Sequence, residues 1–112
     1  MTLADAETQF AALVVELSGE PGVSLGQRGK KGFGSSALQV NGKIFAMVSA
    51  TGALVFKLPR QRVDELEASG VGRRFDPGHG RLMKEWLTVD RCAPDECRSM
   101  AREALRFVGG AA

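Results

Sequence analysis

Residues 37–48 read ALQVNGKIFAMV, two β-prone runs on either side of Asn41-Gly42. Asn-Gly suits a type I′ turn because both central residues need positive φ, so the stretch reads as a two-residue β-hairpin. A loop of that length pairs Val40 with Lys43 and Leu38 with Phe45. Leu38, Val40, Phe45 and Met47 then share one face, and Ala37, Ile44, Ala46 and Val48 share the other. A third strand, Leu54 to Lys57, follows the turn Ala50-Thr51-Gly52 and completes an antiparallel meander.

Helical patterns flank this meander. Upstream, Leu3, Ala6, Phe10, Leu13, Val14 and Leu17 form one stripe of a 3.6-residue period, predicting a helix over 3–18 with Thr2 as N-cap. Gly19 and Pro21-Gly22 stop it. Val23 to Leu25 reads as a short strand opening the glycine-rich basic segment 23–36. Downstream, Pro59 opens a helix over 59–69, with Val63 and Leu66 inward and Gly70 as the residue after its cap. Val71 to Phe75 is a short strand, Asp76-Pro77-Gly78 a turn, and Met83 to Val89 a further strand. On that strand Met83, Glu85, Leu87 and Val89 take one face, and Lys84, Trp86 and Thr88 the other. A last helix runs from Pro94 to Val108, with Cys97, Met100, Ala101, Ala104, Leu105 and Val108 as its apolar stripe. The fold class is α+β, a two-layer arrangement of helices on an antiparallel sheet in the order α-β(3)-α-β(2)-α.

Composition bounds what such a chain can be. At 112 residues, 44% apolar and 25% charged, residues 1–112 make a single domain with one core. Collagen-like, coiled-coil and disordered classes are excluded. No apolar run reaches the roughly 18 residues of a membrane span, and no secretory signal opens the chain, so a cytoplasmic protein without membrane contact is expected. Cys92 and Cys97 make no disulfide framework, and Cys97 falls on the apolar stripe as a buried thiol.

Charge is unevenly placed. Residues 21–63 hold Arg28, Lys30, Lys31, Lys43, Lys57, Arg60 and Arg62 and no acid, and residues 64–67 then return three acids. Strands and glycine turns are poor in Asp and Glu anyway, so the window reads either as strand composition or as a basic surface. A second basic cluster, Arg73, Arg74, Arg81 and Lys84, surrounds His79. Gly-flanked lysines and arginines suit phosphate, which makes Arg28, Lys30, Lys31, Arg60, Arg62, Arg73, Arg74, His79, Arg81 and Lys84 candidate anion contacts. Trp86 is either a core residue or a stacking platform beside them. Arg98, Arg102 and Arg106 form a row away from the stripe of the last helix, offset locally by Asp95 and Glu103.

Catalytic and metal signatures are missing. There is no G-x-S-x-G, H-E-x-x-H, C-x-x-C or phosphate-loop pattern, and His79 is the only histidine. No catalytic residue, metal ligand or cofactor is assigned, and no enzyme activity is expected.

The stretch GFGSSALQVNGKIFAMVSATGALVFKLP resembles the N-terminal domain of TfoX-type proteins and the related MmcQ/YjbR-like proteins. The likeness rests on Phe33-Gly34, Asn41-Gly42-Lys43-Ile44-Phe45-Ala46 and Lys57-Leu58-Pro59, and on the later FDPGHGRLMKEWLTV. It implies a secretion-chaperone-like α+β architecture. MmcQ/YjbR-like proteins are often labelled DNA-binding by structural analogy. Full-length TfoX proteins are competence regulators with a second domain that this chain is too short to hold. The resemblance and the bases together imply a small binding module with DNA or another nucleic acid as partner. The alternative is a protein-interaction or regulatory module, including a homodimer.

Overall fold

The computed structural model describes residues 3–27, 36–49, 52–75, 83–90 and 92–110. Thr2, Phe33-Gly34, Ala50-Thr51 and Asp76-Pro77-Gly78 lie outside the described residues. So do Arg28, Lys30, Lys31, His79 and Arg81 among the candidate contacts.

The elements run α1 (Leu3–Leu17), β1 (Val23–Gln27), β2 (Ser36–Val40), β3 (Lys43–Val48), β4 (Leu54–Lys57), α2 (Arg60–Ala68), β5 (Arg73–Phe75), β6 (Met83–Val89) and α3 (Pro94–Gly109). The six strands form one sheet in the order β1-β2-β3-β4-β6-β5, and every pairing is antiparallel. Strand β6 returns beside β4, which leaves the three-residue β5 at the edge. The expected α+β class stands, with the short Val23 strand lengthened and added as the opposite edge.

All three helices contribute to one core on one face of the sheet. Helix α1 buries Ala6, Phe10, Leu13 and Leu17, and α3 buries Cys97, Met100, Ala101 and Ala104. These are the stripes that helical periodicity selects. Helix α2 adds only Val63 and Leu66. It ends in a Schellman motif: Gly70 N–H donates to Glu67 C=O (3.1 Å) and Val71 N–H to Leu66 C=O (3.0 Å). Gly70 takes φ +83°, and Val71 packs on the core.

The hairpin turn forms as expected, with Asn41 at φ 53° and Gly42 at φ 82°. Its register does not hold. Val40 faces Lys43, but Leu38 faces Ala46 rather than Phe45, because a β-bulge makes Phe45 an extra residue. The bulge has a packing reason. Strict alternation would turn Ala46 and Val48 away from the helices and bring Met47 in. With the bulge, Phe45, Ala46 and Val48 all enter the core and Met47 is only half-buried on the far face.

Two cross-sheet rows result. Leu25, Leu38, Ala46, Phe56, Leu87 and Arg74 run edge to edge on the helix side. Gly26, Ala37, Met47, Val55, Thr88 and Arg73 run across the side without helices. Ala37, Val55 and Thr88 are buried there although no helix lies over them.

The cysteine expectation is overturned. Cys92 and Cys97 are disulfide-bonded, with Cα atoms 5.8 Å apart. The chain turns at Ala93-Pro94 into α3, which brings residues five apart within bonding reach.

Gly72 is a close-approach position. A Cβ there would lie 2.5 Å from the Thr88 carbonyl and 3.0 Å from Leu87 Cγ. Gly72→Ala is therefore expected to push β5 off β6 and lower stability in urea unfolding by about 1–3 kcal/mol. Gly19→Ala, with open space around it, is the matched control and should change stability by less than about 0.5 kcal/mol.

Candidate nucleic-acid interface

Strand alternation sorts the described candidates between the two layers. Leu54, Phe56, Leu87 and Val89 point into the helix-side core, so Lys57, Trp86 and Thr88 belong to the opposite face. Arg73 pairs with Thr88 and joins them. Lys84 lies where β6 departs from the register of β5. Lys57 stands opposite Trp86 across β4 and β6, its Nζ 5.0 Å from the ring centroid. Trp86 is half-buried, so it is not a core tryptophan. Lys84 is exposed, with no acid in ion-pair range among the described residues.

Arg62 and Arg74 are drawn the other way, into the helix layer. Arg62 makes a two-pronged bridge from α2 to α3, Nε to Glu103 Oε1 at 2.8 Å and Nη2 to Glu103 Oε2 at 3.1 Å. Arg74 reaches Asp64 and Glu67 on α2, and its N–H donates to Glu67 Oε2 at 3.2 Å. Both guanidiniums have raised pKa values, from the hydrogen bonds to Glu103 and to Asp64 respectively. The acids of residues 64–67 thus neutralise Arg62 before them, through Glu65 at 3.1 Å, and Arg74 after them. Arg60, at the start of α2, is exposed and has no acidic partner among the described residues.

The arginine row on α3 is not offset as its own helix suggests. Arg98 pairs with Asp95, but Arg102 bridges to α1, with Nη2 2.8 Å from Glu16 Oε2 and Nη1 3.2 Å from Glu20 Oε2. Arg106 is exposed at the mouth of a half-open cleft of about 540 Å³ with Asn41, Val40 and Leu105. Glu20 also lines that cleft and reduces its attraction for anions.

Lys57 is the residue that reading the sequence left out of the site. Its proximity to Trp86 depends on β4 pairing with β6 across an intervening helix and strand, and no local pattern carries that. Lys57 also lies 3.6 Å from Glu85, and Arg73 pairs with Asp90. Among the described residues no three His, Cys, Asp or Glu side chains gather to hold a metal ion, and no helix is long and apolar enough to cross a membrane. No protein-family model, curated protein or solved structure matches the chain.

The Arg102 clamp sets a pH dependence. Its hydrogen bond to Glu16 holds that carboxyl below its ordinary value. A lowered folded-state value stabilises the protein above the unfolded glutamate value, near pH ~4.3, and that contribution is lost as pH falls through the folded value. Glu16→Gln is expected to lower Tm at pH 7, and the difference from the unaltered protein to shrink as pH falls below the unfolded glutamate value. Thermal unfolding of both proteins across that range checks this.

Proposed function

We propose that the protein is a non-catalytic binding module that takes single-stranded nucleic acid on the helix-free face of its sheet. The observation that supports this is Trp86, half-buried on the face away from the helices, with Lys57 over its ring, Arg73 on the same face, and the exposed Lys84 two residues away on β6. An aromatic face stacks a base, and the surrounding cations meet the phosphates. The reading agrees with what the resemblance to MmcQ/YjbR-like proteins implies.

The energetics favour exchange of the existing contacts. Lifting Lys57 off the indole costs about 0.5–1 kcal/mol, and a base stacked in its place contributes about 1–3 kcal/mol. The Lys57–Glu85 and Arg73–Asp90 pairs are surface ion pairs, each worth at most about 1 kcal/mol, so phosphates compete with them readily. Lys84 needs no such exchange. Arg62 and Arg74 serve the helix layer in this reading and are not contacts.

Trp86 is the only tryptophan and the chain has no tyrosine, so intrinsic fluorescence reports this site alone. Titration with oligothymidine at low salt should quench it, with log K falling as log salt rises. Trp86→Ala should weaken binding, read by anisotropy of a labelled strand, by about 5-fold to 100-fold. Lys84→Ala should reduce the salt slope by about one phosphate. Unchanged fluorescence and anisotropy at low salt would overturn the reading and leave the face to a protein partner.

A further inference from the structure

We propose that the Cys92–Cys97 disulfide is a reversible redox latch, locking the corner between β6 and α3 when oxidised and freeing it when a dithiol reduces it. Cys92 follows the end of β6 closely, and Cys97 lies in the opening turns of α3, whose N-cap Ala93 has no capping side chain. Glu96 Oε1 accepts the Ala93 N–H at 3.0 Å, a contact inside the same loop. Helix α1 docks on the corner too: Gln9 Nε2 donates to the Cys92 carbonyl at 3.0 Å. One covalent bond therefore ties the start of α3 to Cys92, three residues past β6, whose carbonyl anchors α1.

The size of the loop decides what the bond does. It joins residues only five apart. Closing so short a loop restrains the unfolded chain little, whereas a staple for the whole domain would join distant segments. Cys92 and Cys97 belong to the core cluster, but most of it, from Phe45, Phe56, Leu54 and Leu87 to the stripes of the three helices, is supplied by other residues. Breaking the bond releases the corner and leaves the fold, which gives two folded states.

The exchange chemistry has a direction. Cys92 is 8% exposed and Cys97 1%, so an incoming thiolate reaches the Cys92 sulfur first. It forms a mixed disulfide there, the S–S bond breaks, and Cys97 leaves as a thiolate that takes a proton. The second thiol of the reductant then displaces Cys92 as a thiol and closes the reductant's own disulfide. Two electrons and two protons pass to the protein. The inference stands whether or not the sheet face binds nucleic acid.

The test compares the full chain in reduced and in oxidised dithiothreitol, with thiols counted by alkylation and mass spectrometry and backbone amide exchange followed by residue. Two thiols should appear on reduction, with Trp86 emission unchanged. Exchange at the hydrogen-bonded amides of Ala93 and Cys97 and around Gln9 should quicken roughly tenfold or more, while the β2–β3 hairpin keeps its protection. The double variant C92A/C97A should show the reduced pattern in both buffers. Three results would overturn the latch: oxidant that yields no disulfide, reduction that occurs only with global unfolding, or identical exchange in the two states.

Discussion

The row Leu38, Ala46, Phe56 and Leu87, each residue opposite the next across four strands, is the constraint on which the rest of the molecule depends. Antiparallel partners place their side chains on the same face, so this row settles which side of every strand meets the helices. Phe56 and Leu87 are wholly buried, as are Leu38 and Ala46. The bulge at Phe45 is what brings Ala46 into the row. A one-residue slip would turn the partners over and offer Met47 and Val55 to α3 instead.

Everything on the opposite face follows from the same parity. Lys57, Trp86, Thr88 and Arg73 are there because their neighbours Phe56, Leu87 and Arg74 are on the helix side. The charges are sorted by it as well. Arg74, on the helix side, meets the acids of α2, whereas Arg73, one residue earlier, pairs with Asp90 at the sheet end. Adjacent arginines thus serve different layers of the protein.

The helices are held to one another by ionic bridges at their polar margins as well as by the core. Arg62 joins α2 to α3 through Glu103, and Arg102 joins α3 to α1 through Glu16 and Glu20. Arg62 also pairs with Glu65 on its own helix, and Glu20 stands in the turn just past α1. The basic excess of residues 21–63 is accordingly reduced in the folded chain, and the exposed cations without an acidic partner among the described residues are Lys43, Arg60, Lys84 and Arg106.

Local rules were sufficient for much of the fold. Asn41-Gly42 specifies its turn through two positive-φ residues, and the stripes of α1 and α3 follow from a 3.6-residue period. Gly70 ends α2, and the alternation of β6 puts Leu87 and Trp86 on opposite faces. Each signal lies within a few residues of what it determines, so the sequence by itself determined these elements and the α+β class. The tertiary structure decided the rest. The bulge at Phe45 answers to the helices packed above it. The neighbourhood of Lys57 and Trp86 answers to β6 returning beside β4. The Cys92–Cys97 bond answers to the turn at Ala93-Pro94 into α3. The bulge and the Lys57–Trp86 contact depend on segments whose separation no local pattern encodes, and only burial of the shared core brings them together.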